Sequence, residues 1–215
     1  ERYCKMLKYG FSRRCITPSA DCKVSLAGYF NKRWQVGKLD DIYVYAAAFS
    51  DGKEAAVLCS VDSVAVPFAL LTAVREGCKD IAGLKPENIL ICATHSHTCP
   101  NLRPGILPHG GLEETTEQVD SSSGCNTAYN RLVVEESIAA VKEAVADLRP
   151  GEAYYGECED SRWAFNRRYW MKNNTVITNP GIGNPEIAKA EGPIDPRIGV
   201  FGVKNADGSW RALMV

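Results

Sequence analysis

Two histidines separated by one residue are the strongest candidates for chemistry in this sequence. His95 and His97 flank Ser96 and directly follow an apolar run that is predicted to be a strand. In an extended segment, residues i and i+2 point to the same side, so both imidazoles are expected to face one space. Neutral imidazole is the commonest side-chain metal ligand, and zinc binds it readily. The pattern therefore predicts a zinc site, and the alternative is a pair of structural or surface histidines.

Three further polar residues are candidates for the same chemistry. Asp62 follows a predicted strand, and ligands of open α/β sheets bind beyond the carboxyl ends of the strands. Its carboxylate could bind the metal or orient an imidazole, or it could cap the following helix. Asn166 and Arg167 form a polar cluster beside aromatic residues. An arginine there could stabilise an oxyanion, or could be a surface arginine stacked on an aromatic ring.

A hairpin and a strand–helix–strand unit are predicted to position Asp62 and His95. Residues 42–50 and 54–61 are β-rich and flank an Asp-Gly pair, which is typical of a tight hairpin turn. A helix of about 16 residues is expected to start at a proline and to end at a glycine. The next apolar run, residues 88–94, completes a βαβ unit, so it should lie parallel to residues 54–61.

The rest of the chain is predicted to contain fewer regular elements. Apolar residues at intervals of three and four predict a helix over residues 126–148. Residues 1–40 are basic and are expected to be irregular, as are most of residues 162–197, which are rich in Asn, Gly and Pro. A strand at 151–159 and a second hairpin are also expected, the hairpin formed by residues 198–204 and 209–215.

Composition excludes several classes of protein. The chain has 215 residues, 45% of them apolar, which is typical of a globular domain. The net charge of −1 provides no overall electrostatic attraction to the phosphates of nucleic acid. No run approaches the ~18 apolar residues of a membrane helix. Nine cysteines without a CxxC motif favour reduced thiols and a cytoplasmic location, with a secreted or periplasmic protein as the alternative.

The sequence resembles the N-terminal catalytic region of the neutral/alkaline, non-lysosomal ceramidase family. The most specific matching segment is the one around His95 and His97, which is similar to the family's "ATHTHS" signature. The matching segments occur in the family's order over nearly the whole chain. They are Ile16-Thr17-Pro18, Leu26-Ala27-Gly28-Tyr29, Asp41-Ile42-Tyr43-Val44-Tyr45-Ala46, Val61-Asp62, Ala93-Thr94-His95-Ser96-His97 and Asn166-Arg167.

The resemblance implies a role for each candidate residue. His95 would be a zinc ligand, and His97 would contact the substrate or the attacking water. Arg167 would lie near the scissile group, and Asn166 would contact the substrate. Zinc-activated water would attack an amide carbonyl and release a fatty acid and an amine from an N-acyl sphingoid lipid. The family's remaining zinc ligands would lie beyond Val215, so this stretch alone is expected to have an incomplete metal site.

Together these observations predict an α/β fold with a mixed sheet, a βαβ crossover and flanking helices. Residues 1–215 are expected to form a single domain, the N-terminal part of a larger catalytic domain that is truncated at its C-terminus. The predicted function is zinc-dependent amide hydrolysis of the ceramidase type, with a small-molecule or lipid amide substrate, and without nucleic acid or a membrane span. The alternatives are metal-dependent hydrolysis of another ester or amide, and a non-catalytic ligand-binding or relic domain. The sequence leaves the oligomeric state open.

Overall fold

The computed structural model describes residues 7–28, 31–102 and 126–215. Its contacts divide the chain into two compact units, Glu1–Gly151 and Glu152–Val215, called unit 1 and unit 2 below. Neither helix in the described residues has the length and apolarity that a membrane crossing needs. The expectation of a single domain over residues 1–215 stays a prediction.

Unit 1 is built on a five-stranded mixed sheet with the strand order β6-β5-β4-β1-β7. Strands β5 and β6 are parallel and the other pairs are antiparallel, so the predicted mixed sheet and βαβ crossover are confirmed. A short pair, β2 and β3, lies outside this sheet. The elements of unit 1 are β1 (Lys8–Cys15), β2 (Ser25–Leu26), β3 (Arg33–Trp34), β4 (Tyr43–Ser50), β5 (Ala55–Val61), α1 (Phe68–Gly77), β6 (Leu84–Ala93), α2 (Thr127–Ala146) and β7 (Arg149–Pro150).

The first strand contradicts the expectation that residues 1–40 are irregular. All eight residues of β1 pair with β4, from Lys8 opposite Ser50 to Cys15 opposite Tyr43. The strand is hard to recognise in the sequence because basic residues interrupt the apolar alternation that marks a strand. The charge of Arg14 is accommodated outside the core, where its guanidinium pairs with acidic side chains of α2.

The two helices agree with the sequence to different degrees. Helix α2 is confirmed, and the side chain of Asn126 caps it by accepting the Tyr129 N–H at 3.1 Å. Helix α1 is shorter than predicted, because it ends at Gly77 and is followed by turns. Gly83 has φ +78° and belongs to the turn before β6, not to the end of the helix. Both helices contribute buried apolar side chains to the core of unit 1.

Unit 2 consists of two small antiparallel sheets. The predicted strand at 151–159 and the second hairpin are confirmed and form one sheet, in the order β13-β12-β8. Three short strands form the other sheet, in the order β10-β9-β11, so the expectation of an irregular stretch at 162–197 is wrong in part. The elements are β8 (Glu152–Glu159), β9 (Arg168–Met171), β10 (Val176–Thr178), β11 (Ile187–Ala190), β12 (Arg197–Lys204) and β13 (Trp210–Met214). The chain is therefore richer in strand than most α/β proteins.

Candidate functional site

The two histidines lie just past the end of β6, and their backbone differs from the sequence-based expectation. Strand β6 ends at Ala93, and His95 has φ +61°, in the left-handed region. The premise that His95 and His97 lie in an extended segment is therefore wrong. The two rings are nevertheless neighbours, with centroids 4.9 Å apart and planes inclined by 72°. The turn thus brings together the two side chains that the sequence pattern selected.

The imidazole of His95 is oriented by a backbone carbonyl. Its Nδ1 lies 2.7 Å from the carbonyl oxygen of Val64. A carbonyl can only accept a hydrogen bond, so Nδ1 carries the proton and donates it. In the neutral ring the lone pair is then on Nε2, which is the arrangement typical of a metal-ligating histidine. The His95 side chain is exposed, so Nε2 is accessible to a ligand.

The imidazole of His97 packs against a glycine that leaves room for it. Gly28 has φ +85°, and a Cβ added there would lie 2.5 Å from Cγ of His97. The carbonyl oxygen of His97 accepts a hydrogen bond from Nη2 of Arg33 at 2.9 Å. The ring of His97 and its backbone are therefore both held by the segment that contains β2 and β3.

Asp62 lies at the same edge of the sheet as the histidines. The register of β5 and β6 pairs their last residues, Val61 and Ala93. Oδ2 of Asp62 accepts the N–H of Tyr43 at 2.8 Å, and its own N–H donates to the Tyr43 carbonyl at 3.0 Å. The alternative that Asp62 caps the next helix is wrong, because α1 begins six residues later with Pro67 as its N-cap. Burial and, secondarily, the Asp62 charge raise the pKa of the Tyr45 phenol. Asp62 therefore adds negative charge at this edge.

The donors at this edge fit part of a zinc site. Zinc in proteins usually takes four ligands, and neutral imidazole is among those it prefers. His95 presents Nε2, and the ring of His97 lies beside it. Within residues 7–28, 31–102 and 126–215, no three His, Cys, Asp or Glu side chains are grouped closely enough to hold a metal ion. The histidine pair could thus contribute to a zinc site that needs further ligands.

Asn166 and Arg167 lie in unit 2, in the loop between β8 and β9. Both ends of the Asn166 amide bind backbone groups: Nδ2 donates to the Gly192 carbonyl at 3.2 Å, and Oδ1 accepts the Arg168 N–H at 3.0 Å. The Arg167 side chain is exposed, and among the described residues no acidic side chain lies within salt-bridge distance of it. Both residues line a cleft of about 480 Å³, together with Trp163, Ala164, Phe165, Pro193, Ile194 and Asp195.

Sequence reasoning from the residues did not identify the groups that hold the two histidines. The sequence marks Gly28 only as part of the segment Leu26-Ala27-Gly28-Tyr29, although a glycine is what a left-handed turn requires. The contact of Val64 with His95 uses a backbone carbonyl, which every residue has, so the residue type carries no signal. The contact of Arg33 with His97 spans 64 residues and depends on the tertiary fold.

Comparison with known proteins relates the chain to neutral ceramidases. Over 122 residues it is 25% identical to the neutral ceramidase of Pseudomonas aeruginosa, an alignment that covers 57% of this chain and 16% of that protein. No known family's sequence profile matches the chain. The resemblance inferred from the motifs is confirmed by this similarity and by the shared fold described next.

Two solved ceramidase structures share the fold. One is a ceramidase complexed with C2, with a TM-score of 0.68, and it is matched over 96% of this chain and 30% of its own. The other is the neutral ceramidase from Pseudomonas aeruginosa, with a TM-score of 0.67, matched over 96% of this chain and 31% of its own. Both are 19% identical to this chain in sequence. The chain spans less than a third of the length of these relatives.

Proposed function

We propose that the chain is part of a zinc-dependent amide hydrolase of the ceramidase type. The substrate would be an N-acyl sphingoid lipid, which hydrolysis separates into a fatty acid and an amine. The observation that carries the proposal is the exposed His95 imidazole, whose Nδ1–H donates to the Val64 carbonyl and thereby leaves the lone pair on Nε2. The similarity in sequence and fold to neutral ceramidases supports the choice of reaction.

His95 would bind the metal through Nε2. A zinc ion held there would supply a Lewis acid that activates water as a nucleophile. The neighbouring His97 ring would accept a proton from the attacking water or hold the substrate by a hydrogen bond, because a neutral imidazole has one donor and one acceptor nitrogen. Asp62, at the same edge of the sheet, would favour a positively charged metal by its negative charge.

The roles of Arg167 and Asn166 are proposed from the resemblance. A guanidinium with no acidic partner among the described residues can bind a carboxylate or the oxygen of a polarised carbonyl. Arg167 would therefore stabilise the charge that develops on the amide oxygen or bind the fatty-acid product. Asn166 already binds backbone groups on both sides, so its proposed contribution is to hold the loop that presents Arg167.

Replacing His95 with Ala tests the proposal. The zinc affinity and the release of fatty acid from an N-acyl sphingosine would be measured for the full-length protein that contains this chain and for its H95A variant. We expect zinc affinity to fall by at least about 100-fold in H95A, because loss of a ligand costs more than loss of a group that orients one. S96A is the control, since the Ser96 hydroxyl lies 3.2 Å from the Thr98 hydroxyl and bears no ligand nitrogen. Unchanged zinc and activity in H95A would reject the proposal.

A substrate panel separates the proposed reaction from the alternatives. Matched N-acyl and O-acyl compounds with the same acyl chain would be compared at equal concentration. Preference for the amide supports a ceramidase-type enzyme, and preference for the ester indicates a metal-dependent esterase. Binding of these compounds without hydrolysis, in a protein that has its full complement of zinc, would favour the non-catalytic alternative.

A further inference from the structure

Both helices of unit 1 pack against one face of its five-stranded sheet. On β1, Gly10 lies against the backbone of α2, and the Ser12 hydroxyl donates to the Ala140 carbonyl. Helix α1 shares the core with Ile89 and Ile91 of β6. Because alternate residues of a strand point to opposite faces, the residues between these positions lie on the other side of the sheet.

The second face of this sheet is apolar across four neighbouring strands. Phe11 of β1 pairs with Ala47 of β4. Ala47 pairs in turn with Leu58 of β5, and Leu58 pairs with Leu90 of β6. The rows on either side of this one place further apolar side chains and a thiol on the same face. We call the following side chains the open face: Phe11, Tyr45, Phe49, Leu58, Leu90 and Cys92.

Large side chains of the open face are left in solvent. Leu90 is 60% exposed and Tyr45 is 42% exposed. Arg13 lies on the same face, where its guanidinium is 5.1 Å from the centre of the Tyr43 ring. A contiguous exposed apolar patch marks an interaction surface, whereas single exposed apolar residues are ordinary.

The sequences of the strands indicate that both faces of the sheet are covered in the intact protein. A strand with one face in water alternates apolar and polar residues, whereas a strand that is covered on both faces is apolar throughout. Residues 43–49 of β4 and 89–93 of β6 are all apolar or aromatic. The helices cover one side of these strands, so a second layer is expected on the open face.

The relatives supply a candidate for this covering layer. The fold of this chain occupies 30% and 31% of the two related ceramidase chains, so most of each related chain lies outside it. The open face also reaches the edge of the sheet that carries the histidine pair. There burial and, secondarily, the charge of nearby Asp62 raise the pKa of the Tyr45 phenol. A zinc site at that edge needs further ligands, and a layer on the open face would border it.

We propose that the open face is covered by the part of the full-length protein that lies outside residues 1–215. Unit 1 would then have three layers, with the sheet between its helices and a second apolar layer. The covering layer packs on Leu58 and Leu90 and brings further polypeptide to the edge that carries Asp62 and His95. The inference does not depend on the reaction proposed above, because it concerns packing alone and its test requires no hydrolysis.

Cys92 is a natural reporter of the open face, because its side chain is exposed there. Alkylation by iodoacetamide would be followed at each cysteine by mass spectrometry, in the 215-residue chain and in the full-length protein. In the 215-residue chain, Cys92 should react at a rate similar to that of the exposed Cys158. In the full-length protein we expect alkylation of Cys92 to slow at least about 10-fold, because a packed layer admits the reagent only when it opens.

The control is F68C on α1, because Phe68 is 73% exposed and belongs to the layer of helices. Its thiol should react equally fast in both proteins, as protection specific to the open face requires. The proposal is overturned if Cys92 reacts equally fast in both proteins, if F68C is protected as strongly, or if the gene encodes nothing beyond these residues. Protection of Cys92 that is lost on dilution would also overturn it, in favour of a second copy of the chain.

Discussion

The His95 backbone is held in a conformation that few non-glycine residues adopt. A φ of +61° costs about 1–2 kcal/mol for a residue with a Cβ, so neighbouring contacts must offset it. Two such contacts are present: the Val64 carbonyl accepts the imidazole N–H, and the Ser63 carbonyl accepts the Ser96 N–H at 3.1 Å. Backbone strain of this kind concentrates at functional sites. The strain and the orientation of Nε2 therefore support the same proposal.

At Gly28, a methyl group is expected to displace the ring of His97. The G28A variant adds a left-handed alanine and a Cβ only 2.5 Å from Cγ of His97. We expect the free energy of unfolding in urea to fall by about 2–5 kcal/mol, the sum of conformational strain and overpacking. The His97 imidazole resonances should also shift in NMR spectra, because the ring must move.

The matched control for this change is Gly52 in the hairpin turn. Gly52 has φ +89°, but no atom lies within 4 Å of an added Cβ, so G52A carries the strain without the clash. It should cost about 1–2 kcal/mol and leave the His97 resonances unchanged. Equal losses of stability in G28A and G52A would mean that the contact of Gly28 with His97 does not constrain the ring.

The buried thiol of Cys59 is expected to destabilise the protein at alkaline pH. Burial raises its pKa to about 12, whereas the pKa of a cysteine in an unfolded chain is about 8.5. The stabilisation that the protonated Cys59 thiol provides is fully present below the pKa of the unfolded chain. It is lost as the pH rises towards and through the pKa of the folded protein. Between pH 8 and 10.5, the advantage of the wild type over C59A should shrink by about 2–3 kcal/mol in urea unfolding. C158A, which replaces an exposed cysteine, should show no such trend. If the stability of C59A instead followed the same pH dependence as that of the wild type, ionisation of Cys59 would not destabilise the folded protein.

At the scale of elements, unit 1 depends on the close approach of α2 to β1. The Ser12 hydroxyl donates to the Ala140 carbonyl at 2.7 Å, and Arg14 pairs with Glu143 at 3.1 Å. Near the end of α2, Gly10 of β1 faces the helix at close range: a Cβ added to Gly10 would lie 1.9 Å from the Ala144 carbonyl oxygen. The helix can lie this close to the strand because Gly10 has no side chain.

The G10A variant is therefore expected to push α2 away from the sheet. Because the clashing atom belongs to the helix backbone, a change of rotamer cannot relieve it, and we expect a loss of at least about 3 kcal/mol in thermal or urea unfolding. G156A on β8 is the matched control, since no atom lies within 4 Å of its added Cβ. That change should be neutral or stabilising by up to about 1 kcal/mol. A small effect of G10A would show that the helix packs less tightly than the structure describes.

The elements that the sequence predicted are those whose signals are local. The β4–β5 hairpin follows from two β-rich runs and an Asp-Gly turn, and the parallel β6 follows from the helix between the strands. Strand β1 was missed because basic residues obscure its pattern and because its partners lie far away in the sequence. The strands of 162–197 were missed because each has only three or four residues.

The candidate site was predictable in its residue types but not in its geometry. The HxH pattern selected His95 and His97, and their rings are neighbours. The left-handed turn at His95 and the support from Val64 and Gly28 depend on segments that only the folded chain brings together. The spacing can therefore select the two histidines, whereas a tertiary contact decides which nitrogen of the His95 ring is presented.

At the scale of the whole molecule, buried apolar side chains are distributed unevenly. The core of unit 1 contains buried residues from its sheet strands β4, β5 and β6 and from both helices. Between Glu152 and Val215, all of which the structure describes, the buried apolar side chains are Met171 and Val203. Every residue of β8 is exposed, whereas burial alternates along β5. Because burial of apolar area is the main stabilising term, local stability should differ between the units.

Hydrogen exchange on the full chain measures this difference. Amides of β5 and β6 should exchange most slowly, and those of β8 should exchange at least about 100-fold faster, because few buried contacts oppose their local opening. The same experiment on G10A distinguishes one cooperative domain from two. If the units open independently, G10A should accelerate exchange in β4, β5 and β6 and leave β8 and β12 unchanged. Equal acceleration throughout would show that a clash at Gly10 destabilises the whole chain, as expected for a single domain over residues 1–215.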